Sequence, residues 1–320
     1  MFVLVTGASG CIGRAVLRRL AADSHRVRGV ARGPAPQDLP YAEWVRGDLG
    51  ALPADDLLGG CDAVVHLAAL VHCRKAQPER AYFEQNAAVT RRLVRAASTR
   101  ALEPRRFVYA STVAVYGRDH DLCADEATPV MPKTPYARAK YDGERSVAEL
   151  GGIVLRFPMV YGSGDRGNLA RLARAIFARR FVRPSRAENL RSFLGSRNAA
   201  EAVALALRAD RPGDVYLVTD GADLTLAELV DLVALGVGRP PPPSVPASLL
   251  LGAATLGSVL RRVGLPAPLT REEWFKLTGT LRFSSEKAKA ALDYRPVETP
   301  EAGVPAAARA AIVELRSEPC

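Results

Sequence analysis

The chain is expected to be an α/β protein with a parallel sheet covered by helices on both faces and a smaller, mostly helical unit after it. Three features of the sequence lead to this expectation. Short β-rich runs alternate with longer helical patterns through the first half. Those runs are almost continuously apolar, as strands become when both faces are buried. Beyond about residue 165 the alternation gives way to amphipathic helices and proline-punctuated segments.

The predicted strands are FVLVT (2–6), RVRGVA (26–31), EWVRG (43–47), DAVVHLA (62–68), RFVYAS (106–111) and GIVLRF (152–157). Helical periodicity fills about 12–22, 79–100 and 135–150 between them. In the second half, 168–180 and 197–209 read as amphipathic helices and DVYLVTD (214–220) as one more strand. A threonine opens a helix over 224–238, PPPP at 240–243 forms a stiff connector, and SSEKAKAAL (284–292) reads as a capped helix. The expected division is a nucleotide-binding domain over 1–165 plus about 196–220, and a substrate domain over 166–195 and 221–320.

At 320 residues, 48% hydrophobic and 24% charged, the composition is that of a globular chain. The net charge of +10 raises the question of nucleic acid. The basic residues are scattered, nearly all arginine, and not interleaved with aromatics in one stretch. They are therefore read as solvated surface, or as a basic cleft for an anionic small molecule. Cysteines at 11, 61, 73, 123 and 320 and histidines at 25, 66, 72 and 120 show no metal-ligand spacing. The odd cysteine count fits a reducing compartment, and a cytoplasmic location is expected. MFVLVTG reads as a strand and not as a signal peptide. LLLGAATLGSVL (249–260) is shorter than the ~20 apolar residues a bilayer span needs. It is read as a buried or pocket-lining helix, with membrane-surface contact as the alternative.

Two motifs carry chemistry. TGASGCIG follows the first strand directly and opens a helix, the context that gives a glycine motif meaning. Gly7 allows the tight turn and Gly10 lets the backbone approach a pyrophosphate at the helix N-terminus. Gly13 allows close helix–sheet packing. PYARAK places Tyr136 and Lys140 one helical turn apart on one face. A tyrosine ionises near pH 10, and near-neutral catalysis needs a shift of about 3 units, on the order of 4 kcal/mol. An adjacent ammonium favours the phenolate and supplies part of that shift.

With its G-x-x-G-x-x-G spacing, the chain resembles the extended short-chain dehydrogenase/reductase superfamily, the NAD-dependent epimerase/dehydratase group with a Rossmann-type fold. The resemblance runs in order through Asp48-Leu49, His66-Leu67-Ala68-Ala69, Asn86, the STVAVYG segment (111–117), Tyr136 and Lys140, and RFPMVYG (156–162). It implies that Thr112, Tyr136 and Lys140 are catalytic, with Ser111 as second choice to Thr112. It also implies a dinucleotide held by Gly7, Ser9, Gly10, Cys11, Ile12, Gly13, Arg32, Asp48, Leu49, Leu67, Ala68, Ala69, Ser111, Tyr136, Lys140, Phe157 and Val160. Tyr136 would pass a proton to or from the substrate oxygen as hydride moves.

Members that bind NAD place a carboxylate at the end of the second strand. Here Ala31 and Arg32 stand there, so NADP(H) is the preferred cofactor, NAD(H) remains open, and Arg14 is a second candidate phosphate contact. Dehydratases carry Asp-Glu after the catalytic threonine; Val113 and Ala114 argue against dehydration. Asn168 and Arg191 match residues near a nucleotide-sugar diphosphate, although Arg197 replaces the usual acidic residue nearby. The leading expectation is a nucleotide-sugar 4-keto reductase acting on a small-molecule substrate. A 4-epimerase with retained NAD stands beside it. So does a ketoreductase for an apolar substrate, which residues 268–296 and Trp274-Phe275 suggest by likeness to the 3β-hydroxysteroid dehydrogenase-like branch. A non-catalytic dinucleotide-binding protein is the fourth reading. No nucleic acid, metal or membrane insertion is expected, and the chain is expected to be a homodimer or monomer.

Overall fold

The computed structural model describes residues 1–71, 77–117, 123–185, 188–262, 264–267 and 269–317. The readings placed on His72, Cys73, His120, Cys320 and the Phe275 side chain lie outside the described residues.

In chain order the first half contains β1 (Phe2–Thr6), α1 (Cys11–Ala22), β2 (Arg26–Ala31), β3 (Glu43–Arg46), α2 (Ala54–Leu58), β4 (Ala63–His66), α3 (Glu79–Tyr82), α4 (Val89–Thr99), β5 (Phe107–Thr112), α5 (Pro135–Leu150) and β6 (Ile153–Phe157). The second half contains β7 (Met159–Tyr161), α6 (Asn168–Phe177), β8 (Arg183–Pro184), β9 (Leu190–Gly195), α7 (Ser196–Arg208), β10 (Val215–Leu217), β11 (Asp223–Thr225), α8 (Leu226–Gly236), β12 (Ser244–Val245), α9 (Ala247–Arg262), α10 (Arg271–Thr278), α11 (Glu286–Leu292) and α12 (Pro300–Ser317).

Seven strands form one parallel sheet in the order β10-β6-β5-β4-β1-β2-β3. The chain winds outward from β1 to β3 and then restarts at β4 on the other side of β1. A crevice therefore opens beyond the carboxyl ends of β1 and β4, where doubly wound sheets take ligands. Val3, Val5, Val65, Val108 and Leu155 fill one face with α1 and α7, while Leu4, Val64, Leu93 and Tyr109 fill the other with α4 and α5. A separate apolar cluster joins Leu169, Ala173, Phe193, Leu229, Val233, Val304 and Ala308, beside a three-stranded sheet β11-β9-β7. Ala288, Leu292 and Tyr294 pack in the first of these cores.

Two sequence expectations change. The continuous helix expected over 79–100 is interrupted by a wide π-helical turn at Phe83–Ala88. Asn86 inside it spends its side chain on the Leu70 backbone, accepting from the N–H at 2.7 Å and donating to the carbonyl at 3.2 Å. Such turns accommodate an extra residue and recur at functional sites. The helix at 286–292 is capped as expected, by Ser284, whose hydroxyl accepts the Glu286 N–H at 3.3 Å. The apolar stretch 249–260 is not the buried helix expected: within α9 only Ala254 and Gly257 are buried. It packs mainly on α10, which covers one side of it.

Candidate active site

The glycine loop turns at Gly7, which has φ +69°; a Cβ there would lie 2.9 Å from the Ala68 nitrogen. A Cβ on Gly13 would lie 2.3 Å from the Gly7 carbonyl oxygen, so only glycine lets α1 start this close to the loop. Gly10 is the N-cap of α1 and makes no side-chain cap, which leaves the first-turn N–H groups facing the crevice. Gly7, Ser9, Gly10, Arg32, Asp48, Leu49, Leu67, Ala68 and Ala69 line one cleft of about 250 Å³. Gly47, Leu70 and Gln85 line it too and were not anticipated. The bare helix N-terminus and the glycine walls fit a dinucleotide.

Arg32 is exposed at the cleft edge and has no carboxylate partner among the described residues. The carboxylate that does line the cleft, Asp48, accepts the Gly50 N–H at 2.7 Å. Arg14, the other candidate phosphate contact, is instead bonded to Asp38 at 2.8 Å. Cys11 faces Ser196 and Gly162, and burial pushes its thiol up to about 12. Ile12, Phe157 and Val160 pack with the sheet core and back the site.

The catalytic candidates gather at the end of β5 and the start of α5. Thr134 caps α5 by accepting the Ala137 N–H at 3.1 Å, and Pro135 occupies the first turn, so Tyr136 enters at a fixed angle. Thr112, whose hydroxyl accepts the Ala114 N–H at 3.2 Å, lies beside the Tyr136 hydroxyl, and the Tyr136 ring meets Tyr82 edge-on at 6.4 Å between centroids. Burial raises the Tyr136 hydroxyl to about 12, and the Thr112 contact lowers it in part. The Lys140 ammonium donates to the Ala110 carbonyl at 2.6 Å and lies 4.0 Å above the Tyr109 ring. Burial brings Lys140 down to about 7, opposed by the charge of Glu144.

Beneath these groups lies a buried polar chain. Ser111, the alternative to Thr112, donates its hydroxyl to Glu144. Glu144 receives Arg156 through Nε at 3.1 Å and Nη2 at 2.6 Å, and Arg156 donates to Tyr116 Oη at 2.7 Å. Glu144 follows Lys140 by four residues, so a Y-x-x-x-K-x-x-x-E face was present in the sequence and went unread. On the other side Ala68 N–H donates to Thr6 Oγ1 at 3.2 Å, and Thr6 Oγ1 meets His66 Nδ1 at 2.7 Å. His66 Nε2 meets Thr90 Oγ1 at 3.0 Å, and that hydroxyl donates to the Asn86 carbonyl at 2.7 Å. The direction of this chain assigns the Nε2–H tautomer and a neutral ring. Burial, with Lys140 second, depresses His66 to about 3.

Asn168 is exposed at the first turn of α6. Arg191 lies on β9, half-buried; burial lowers its pKa, and it has no carboxylate partner among the described residues.

The parallel sheet, its glycine-lined crevice and the Tyr–Thr–Lys cluster define an oxidoreductase-type, dinucleotide-binding α/β enzyme. Residues 3–219 match the NAD dependent epimerase/dehydratase family. The chain belongs to that family, whose cofactor is an NAD-type dinucleotide. Among its relatives is the 4-hydroxy-2-methyl-3-oxo-4-farnesyl-3,4-dihydroquinoline-1-oxide ketoreductase of Stigmatella aurantiaca, 29% identical over 96% of this chain and 95% of the relative. Another is the dTDP-glucose 4,6-dehydratase of Streptomyces niveus, 32% identical over 74% of this chain and 78% of the relative. Among solved structures, MoeE5 in complex with UDP-glucuronic acid and NAD superposes with a TM-score of 0.77 at 25% identity, covering 98% of this chain and all of that one (100%).

Proposed function

We propose that the protein is an NADPH-dependent reductase that converts a ketone to a secondary alcohol, with a 4-keto nucleotide sugar as the substrate. The observation that carries this reading is the end of β2. Ala31 stands where a carboxylate would bond a ribose 2′-hydroxyl, and the unpaired Arg32 follows it at the cleft edge. A bound dinucleotide would supply the hydride. The chain's own groups do the rest. Tyr136, kept protonated by burial, donates its proton to the carbonyl oxygen. Thr112, beside Tyr136 at the end of β5, offers its hydroxyl to the same oxygen. Lys140, tethered to Ala110, presents its charge beside the pair. Arg191, a half-buried cation without a carboxylate, supports an anionic group on the substrate such as a diphosphate. Val113 and Ala114 supply no acid/base pair for dehydration.

A second reading, reduction of an apolar ketone, is favoured by the likeness to the farnesyl-quinoline ketoreductase along nearly the whole chain. The nucleotide released on denaturation separates both from an epimerase. A reductase releases little nucleotide, or NADP that exchanges freely. Stoichiometric bound NAD overturns the reductase reading. Screening 4-keto sugars against apolar ketones with NADPH then decides between the two substrates.

A further inference from the structure

Helix α9 is anchored along one side and bare along the other. Ala254 is buried, and Gly257 sits so close to its neighbour that a Cβ would lie 2.0 Å from the Leu269 carbonyl oxygen. At about 100° per residue, the opposite side carries Leu249, Gly252, Ala253, Leu256 and Val259, all of them exposed. Leu249 and Leu256 are 64% and 60% exposed, and Val259 is 51% exposed. No charged residue occurs from Ala247 to Leu260. Charge begins at the helix end, with Arg261 and Arg262. Over Ala247–Thr278 the sequence has four basic residues against two acidic ones, while Arg239 and Arg282 beyond the hairpin are engaged by the Phe177 carbonyl and by Asp223. Both acidic residues are in the first turn of α10, and Glu273 there is engaged by Arg261 and by the Thr270 cap.

The geometry points to peripheral docking of the α9–α10 hairpin on an anionic lipid surface, with the Leu249–Leu256–Val259 stripe entering the acyl boundary and Arg262 meeting the headgroups. An apolar stripe flanked by arginine is the pattern of helices that lie in the interface plane. At 16 residues α9 is too short to cross a bilayer, and no helix among the described residues is long and apolar enough to do so. The net-positive flank decides between occupants: a bilayer bearing acidic lipids brings the opposite charge, whereas a second copy of the chain brings the same one.

The hairpin is joined to the candidate substrate strand. Asn189 donates to the carbonyls of Leu277 and Gly279, each at 3.3 Å, and Arg191 pairs with Leu281 in a short β-bridge. Docking would thus bring the Arg191 strand close to the lipid surface, where an amphiphilic substrate resides. The docking does not rest on the proposed reduction, and its test uses no turnover.

The test is co-sedimentation of the full chain with vesicles of phosphatidylcholine containing phosphatidylglycerol, and with phosphatidylcholine alone, at moderate salt. The expected result is binding to the anionic vesicles that falls about tenfold for each of Leu249→Ser and Leu256→Ser. Arg262→Gln is expected to weaken binding to anionic vesicles only. These side chains are exposed, so melting temperature and NADPH binding should not move in the variants. No binding to anionic vesicles overturns the proposal. Binding indifferent to the two leucine substitutions also overturns it, because scattered surface charge would then be responsible. A dimer in sedimentation that the same substitutions dissociate, without vesicle binding, assigns the stripe to a second copy.

Discussion

Replacing Glu144 by glutamine removes one charge from the buried pair beneath the catalytic cluster while keeping its volume. The Glu144 and Arg156 side chains are only 4% and 6% exposed, and the pair is joined by several hydrogen bonds. The substitution leaves the Arg156 guanidinium desolvated without a counter-charge. Breaking such a pair costs about 3–5 kcal/mol, and the remaining amide oxygen, which still accepts a hydrogen bond, places the expected loss at about 3. With a urea m-value of about 3 kcal/mol/M, the unfolding midpoint should fall by about 1 M. The paired variant Glu144→Met with Arg156→Leu should recover most of the loss, since neither charge then stays buried. Activity reports a second consequence. Glu144 pulls the Lys140 pKa up against burial, so the alkaline limb of the pH–rate profile should move to lower pH in Glu144→Gln. A loss below about 1 kcal/mol, or an unmoved alkaline limb, would refute the reasoning that this pair is desolvated and that it holds the charge on Lys140.

Tyr136→Phe should lower turnover by about 10²–10⁴-fold while NADPH binding, followed by fluorescence, stays intact; retained turnover removes the proton-donor role. Arg32→Ala should weaken NADPH binding about 10–100-fold and NADH binding much less, and equal losses would dismiss the 2′-phosphate contact. His66, held neutral with a pKa of about 3 against roughly 6.5 in the unfolded chain, binds fewer protons when folded. It therefore contributes stability that is present above pH ~6.5 and lost as the pH falls toward 3, up to about 5 kcal/mol. His66→Asn should flatten the slope of unfolding free energy against pH in that window. Gly13→Ala should abolish tight dinucleotide binding, because its methyl would collide with the Gly7 carbonyl; unchanged affinity in titration would contradict the loop geometry.

The parts of this fold that read directly from the sequence are those set by neighbouring residues. Thr134 and Pro135 announce the start of α5 and Gly151, in the left-handed conformation at φ +84°, ends it. The apolar runs of β1, β4 and β5 sit where both sheet faces are covered. What escaped was decided by distant partners. The turn at Phe83–Ala88 follows from Asn86 reaching back to Leu70, 16 residues away. Ser111 and Thr112 are alike as a local pattern; Glu144, 33 residues on from Ser111, takes the serine hydroxyl and leaves the threonine as the one beside Tyr136 without a carboxylate on it among the described residues. Likewise, helical spacing puts Lys140 one turn from Tyr136, but its bond to the Ala110 carbonyl and its place over the Tyr109 ring depend on residues about 30 positions back in the chain. In α9 the apolar composition was plain, but composition does not reveal which side finds a neighbour.

The strand order has a consequence for synthesis on the ribosome. The fully buried strand β6 is complete at Phe157, but its outer neighbour β10 spans Val215–Leu217. For about sixty residues of elongation an IVLRF edge would stand open, the kind of strand that pairs with another chain. The cluster around Leu169 and Leu229 also waits for Val304 and Ala308. Nascent chains arrested between these points would therefore be the most prone to aggregate, and a chaperone that shields one strand edge would serve this protein best during that interval.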